Sequence, residues 1–197
     1  MNIQAQQENF VSFFSGPDGN LEIEDFQKYG LKGELKHYKE GELLISQGKM
    51  ADKLFFLVKG FVRFMSVSVE GKEFTQSFAS APSIAGSTRA MTRKKPSLFS
   101  IESLSDVLCI EFNWDEFLGV MENQPGFLKA YNRLLENLFI KKEEREYAFV
   151  QQSAEQRYLQ FIEDNIQLKD NIPLKIIASH IGITPIALSR IRKKLNG

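Results

Sequence analysis

PLKIIASHIGITPIALSRIRKKL, residues Pro173 to Leu195, is the stretch from which the rest of the chain can be read. Lys175 to His180 read as a first helix, with Ala178 as the small residue facing a partner. Gly182 follows where the chain must turn sharply and a side chain would clash. Thr184 can cap a second helix with its hydroxyl. Pro185 then stands at the first helical position, where a missing N–H costs nothing. Leu188 and Ile191 fall on one face of that second helix, while Ser189, Arg190, Arg192, Lys193 and Lys194 face outward. The pattern is that of a helix-turn-helix.

The charge distribution adds to this reading. Pro173 to Gly197 hold five basic residues (Lys175, Arg190, Arg192, Lys193, Lys194) and no acidic ones, in a chain with 25 of each sign overall. A local positive cluster is what phosphate neutralisation requires, so double-stranded DNA is the expected partner. The bland alternative is a small helical subdomain with a solvated basic face.

A length of 197 residues suits one sizeable domain plus a small one, and 17 Phe supply ample core material. The single cysteine, Cys109, lies in the apolar run VLCIEF and reads as buried packing. It cannot form an intrachain disulfide, and no cluster exists for zinc or iron–sulfur ligation, so no metal site is expected. No signal peptide and no membrane-spanning run is visible, which gives a cytoplasmic expectation with no membrane partner.

Met1 to Tyr29 read as an acidic, helical cover, with Phe10, Phe13 and Phe14 on one face. From Leu31 to Phe112 the pattern changes. The short runs LLI, LFFLV, FVRFM, FTQSF, LFSIESL and VLCIEF alternate with turn signals such as Gln47-Gly48, Lys59-Gly60 and Glu70-Gly71-Lys72. Many short strands at this spacing predict an antiparallel barrel or sandwich. FTQSF alternates as a half-buried strand should, and Gly60 marks a tight corner.

The string EGELLISQGKMADKLFFLVKGFVRF, Glu40 to Phe64, resembles the first half of cyclic-nucleotide-binding domains, with Gly48, Asp52 and Gly60 in the family's pattern. Taken with the C-terminal helix-turn-helix, Leu31 to Leu195 resemble the Crp/Fnr family of bacterial transcription regulators. The resemblance implies an α+β chain: an N-terminal antiparallel eight-stranded jelly-roll, a long dimerisation helix and a C-terminal helix-turn-helix domain. The corresponding division is 1–122, 123–152 and 153–197. It further implies a homodimer reading an inverted-repeat operator, with RNA polymerase as a further partner.

In that family a phosphate cassette supplies Gly-Glu, a short helix and Pro-Arg-Ala. The corresponding stretch here is SIAGSTRAMTRKKPSLFSIESL, Ser83 to Leu104. Gly86 and Pro96 match, but Ser87 stands where the Glu should be and Ser97 where the Arg should be. The candidate effector pocket is therefore Gly86, Ser87, Thr88, Arg89 and Ser97. Without its bidentate Arg an anionic phosphate loses much of its binding energy, so tight cyclic AMP binding is not expected. The small-molecule effector is unknown and no cofactor is implied. One cysteine excludes an iron–sulfur sensor, and His37, in the charged stretch ELKHYKEGE, reads as a surface residue rather than a haem ligand.

Gln124-Pro125-Gly126 breaks the chain before a long helix, Phe127 to Val150. Leu128, Tyr131, Leu135 and Leu138 fall at heptad spacings and form the expected dimer seam. KKEERE reads as a solvated mixed-charge stretch. Ser153 to Gln156 form a capping-box pattern, so a new helix starts there and a hinge lies near Gln151 to Ser153. At the DNA, Thr184 is expected to contact phosphate, Ser189 and Arg190 to read bases, and Arg192, Lys193, Lys194 and Lys175 to add basic contacts. His180 fits packing or a phosphate contact. Pro185 and Ile186 depart from the polar readers common in the family. No GxSxG, HExxH or GKS-type phosphate loop is present, which argues against an enzyme. The remaining alternative is a small-ligand sensor or scaffold module whose helix-turn-helix does not function.

Overall fold

The computed structural model describes residue 13 and residues 32–123, 127–166, 168–169 and 171–196. The expected helical cover over Met1 to Tyr29, apart from Phe13, and the break at Gln124 to Gly126 lie outside the described residues.

Among the described residues, eight strands form two four-stranded sheets. One has the order β1 (Glu34–Tyr38), β8 (Val107–Asn113), β3 (Lys53–Lys59), β6 (Ser83–Ala85). The other has the order β2 (Leu43–Ile45), β7 (Ser100–Ser103), β4 (Phe61–Val67), β5 (Glu73–Ser80). Strand β8 runs antiparallel between β1 and β3, and β7 antiparallel between β2 and β4. Neighbours distant in sequence give the jelly-roll its crossings.

Strand β3 is buried on both faces, which is why LFFLV reads as a continuous apolar run. Phe55 and Leu57 pack into one cluster with Ile45, Val62, Ala85, Ile101, Val107 and Cys109, drawn from both sheets. Leu54 and Phe56 pack into another with Ile110 and Phe112. That second cluster is completed by Trp114, Phe117 and Met121 of helix α2 (Trp114–Met121) and by Phe127 and Ala130 of the long helix α3 (Phe127–Gln151). Phe13 also packs there, its ring 5.6 Å from that of Phe56. Burial pushes the Cys109 thiol up to about 12, so it is an inert core group. Glu111, the one carboxylate of β8, is buried and accepts from the Tyr38 hydroxyl and the Lys53 ammonium.

Gly60 takes φ +86° between β3 and β4. A Cβ there would sit 2.4 Å from the Asp106 carbonyl oxygen, so the corner requires glycine twice over.

By contacts the described chain forms two units, and neither is continuous in sequence. One runs to Met65 and resumes over Phe78–Leu135; the other joins Ser66–Ser77 to the residues from Glu136 onward. The long helix is shared between them, and so are β4 and β5. The second unit contains α4 (Ala154–Asp164), α5 (Leu174–Ile181) and α6 (Pro185–Asn196). Ser153 caps α4 through the full capping box: its hydroxyl accepts from Gln156 N–H at 3.2 Å, and Gln156 accepts from Ser153 N–H at 2.9 Å.

Two expectations need correction, and two strands lie outside the apolar runs. Strands β1 (ELKHY) and β6 (SIA) were not among the apolar runs, because one is a charged edge strand and the other has three residues. FTQSF does not bury its first Phe: Phe74 is 41% exposed and Thr75 is 1% exposed. KKEERE is not wholly solvated, because Arg145 is half-buried and engaged on several sides.

Candidate functional site

Helices α5 and α6 meet at 97°, the crossing of a helix-turn-helix. Gly182 ends α5 in the left-handed region, φ +76°, and its N–H donates to the Ala178 carbonyl. A Cβ on Gly182 would lie 2.6 Å from the Phe149 ring, so close approach and backbone conformation both select glycine. The Thr184 hydroxyl accepts from Ala187 N–H at 3.2 Å and Pro185 opens α6, as the spacing predicted. Ile176, Ile177, Ala178, Ile181 and Leu188 are buried and hold the two helices together with Tyr158 and Phe161 of α4.

The outer face of α6 is open. Thr184, Ile186, Ser189, Arg190, Lys193 and Lys194 are exposed, as is Lys175 on α5. Arg192 is half-buried rather than fully outward, and the Lys194 ammonium is 2.6 Å from the Glu155 carboxylate of α4. The Ser189 hydroxyl donates to the Pro185 carbonyl at 3.0 Å. The open basic groups of this face are thus Arg190 and Lys193, with Lys175 beside them in the motif.

Behind this face lies a junction that the sequence did not disclose. The Arg145 guanidinium donates to the His180 carbonyl at 3.0 Å and to the Thr75 carbonyl at 3.1 Å, and it stands 3.2 Å from His180 Nδ1. Thr75 N–H donates to Ser179 Oγ at 2.8 Å. Two guanidiniums lie over the Phe149 ring, Arg145 at 4.7 Å and Arg157 at 4.9 Å from its centre. Arg157 also donates to the Ile181 carbonyl at 2.9 Å and the Gln152 carbonyl at 2.6 Å. Burial, and then the charge of Arg157, lower Arg145 to about 10. Burial, and then the Arg145 charge, push His180 down to about 3. His180 packs against Phe161, and burial with the Arg145 charge disfavours its protonated form.

The cassette in the first unit is built differently. Ser87 caps the short helix α1 (Thr88–Arg93), its hydroxyl accepting from Ala90 N–H, and is completely buried. The Ser97 hydroxyl donates to the Phe99 carbonyl at 2.7 Å, and its N–H donates to the Lys49 carbonyl at 2.9 Å. Arg89 Nε donates to the Pro96 carbonyl at 3.3 Å, while Thr88 is exposed. Gly86 faces Met91, whose sulfur would be 3.2 Å from an added Cβ. Arg63 of β4, also buried, is paired with Glu102 of β7. His37 is exposed on β1.

Of the four expected seam residues, Leu128, Leu135 and Leu138 are exposed on α3. Tyr131 is half-buried, stacked on Phe127 at 5.7 Å and tilted against Trp114 at 6.4 Å.

Residues 35–124 match the family described as the cyclic nucleotide-binding domain. Solved structures match far more of the chain. A transcriptional regulator of the Crp/Fnr family from Eubacterium rectale superposes with a TM-score of 0.72 at 16% identity, over 93% of this chain and 87% of that one. The chain has the fold of Crp/Fnr-type regulators. The c-di-GMP responsive global regulator CLP of Xanthomonas campestris has the same fold, with a TM-score of 0.71 at 13% identity over 88% and 90% of the two chains. In sequence, the transcriptional activatory protein AadR of Rhodopseudomonas palustris is 22% identical over 188 residues, 90% of this chain and 77% of its own length.

Proposed function

We propose that the chain is a DNA-binding transcription regulator that acts as a homodimer on an inverted repeat. The observation that carries this reading is the open face of α6: Thr184, Ser189, Arg190 and Lys193 stand exposed on a helix fixed from behind by Leu188 and the glycine turn. Arg190 is the guanine reader, Thr184 a phosphate contact at the helix start, and Lys193 a phosphate contact further along. The similarity to AadR and to the Crp/Fnr regulator supports the same class. Dimerisation runs through α3, where Leu128, Leu135, Leu138 and Phe139 are exposed apolar groups.

The cassette does not grip cyclic AMP in this reading. Its serine hydroxyls and Arg89 are engaged with the protein's own backbone, so an entering cyclic phosphate would displace those bonds before gaining any. Calorimetry on the purified protein should show no micromolar cyclic AMP binding.

The deciding experiment is selection of bound duplexes from a random pool with no added ligand. Enrichment of an inverted repeat with half-sites about one helical turn apart supports the proposal. Absence of salt-dependent duplex binding would leave a sensor or scaffold whose helix-turn-helix does not function.

A further inference from the structure

Ile186 is 68% exposed at the second residue of α6. Nothing in the stability of the helix calls for it. A β-branched residue is a weaker helix former than the Ala, Glu or Gln that could stand there, and an exposed side chain gains little from burial. The buried side of the motif is already filled by Ile176, Ile177, Ile181 and Leu188.

Helical spacing places Ile186 on the same face as Ser189, Arg190 and Lys193, all exposed. Thr184, the exposed cap, precedes it by two residues. The apolar group is thus framed by the groups assigned to DNA. Isolated exposed aliphatics are ordinary on protein surfaces; this one occupies the position where a recognition helix meets base edges.

The major groove presents one apolar group among its donors and acceptors, the 5-methyl of thymine. We infer that Ile186 reads a thymine by covering that methyl, which gives each half-site a specificity element that no hydrogen bond supplies. This rests on the DNA-binding reading proposed above. Ile186 and Arg190 are four residues apart, so their side chains start about 5–6 Å apart on the helix surface. The thymine therefore lies one or two base pairs from the base read by Arg190, given about 3.4 Å per base step.

The test uses the full chain and the operator recovered by selection. Each thymine of a half-site is replaced in turn by deoxyuridine, which removes only the methyl. The wild type should weaken about fourfold at one thymine, the worth of one buried methyl group. Ile186→Ala should bind the parent operator about fourfold more weakly and be indifferent to deoxyuridine at that position. Its thermal midpoint should be no lower than that of the wild type, since nothing buried is removed and Ala is the better helix former. If an operator is bound but no deoxyuridine substitution weakens the wild type, or the loss persists in Ile186→Ala, the inference fails and the regulator reading stands. If no duplex is selected, both fall together.

Discussion

Helices α1 and α6 begin with the same local device and put it to opposite uses. Each has a hydroxyl residue at the cap, Ser87 accepting from Ala90 N–H at 3.4 Å and Thr184 from Ala187 N–H at 3.2 Å. Each carries arginine. At α1 the cap is completely buried, Ser97 is buried beside it, and Arg89 reaches the Pro96 carbonyl. At α6 the cap is exposed and Arg190 points away from the fold. A capped helix start becomes a binding element only where its surroundings leave it open; in the cassette the cap and Ser97 are engaged with the chain's own backbone.

The contrast can be broken at several points. The largest effect belongs to Leu188→Ala, which empties a fully buried position under α6 and should cost about 2–5 kcal/mol in urea unfolding. DNA binding should fall with it, because the open face depends on that support.

Acid should come next. His180 is held at about 3 in the fold, against an ordinary value near 6.5, with Arg145 facing it and Arg157 behind. A histidine with a depressed folded value contributes stability that is complete above pH 6.5 and lost as the pH falls below it. By pH 5 the loss should reach about 2 kcal/mol relative to neutral pH. Unfolding curves at the two pH values should diverge in this way for the wild type, and His180→Gln should remove that share of the difference.

Arg190→Ala should cost roughly 1–3 kcal/mol of operator binding and blur one base. An equal loss on every sequence would reassign Arg190 to phosphate. The two caps sharpen the comparison most directly. Ser87→Ala and Thr184→Ala should each lower stability by about 1 kcal/mol, but only Thr184→Ala should also weaken duplex binding. Smallest of all, Lys194→Gln should shift stability by only a few tenths of a kcal/mol through its exposed pair with Glu155. Its effect on the salt slope of DNA binding should be less than that of Lys193→Gln.

What the sequence disclosed was local. Gly182, Thr184, Pro185 and the Ser153–Gln156 box act within a few residues of themselves, and each stands in the structure as its chemistry demanded. The apolar runs of the jelly-roll were legible for the same reason. What stayed hidden was non-local. The partners of Arg145 lie 35 and 70 residues away, and Ser179 meets Thr75 across 104. No spacing rule links such pairs, so Arg145 read as a solvated charge and Thr75 as the outward half of a strand. Tyr131 illustrates a smaller limit: the heptad placed it on the helix, but not its ring contacts with Trp114 and Phe127, which come from elsewhere in the fold.

The passage of the backbone between the two units carries a consequence for how such a chain can be cut or recombined. The hairpin Ser66–Ser77 is covalently part of the strands but packs with the residues after Glu136. A fragment ending at Leu135 would strip that hairpin of its partners, and one starting at Glu136 would leave Arg145 and Ser179 without Thr75. Neither half is a module that can be transplanted intact. A chimera that exchanges the helix-turn-helix must exchange the hairpin with it, and should misfold or lose stability when the junction falls between the two.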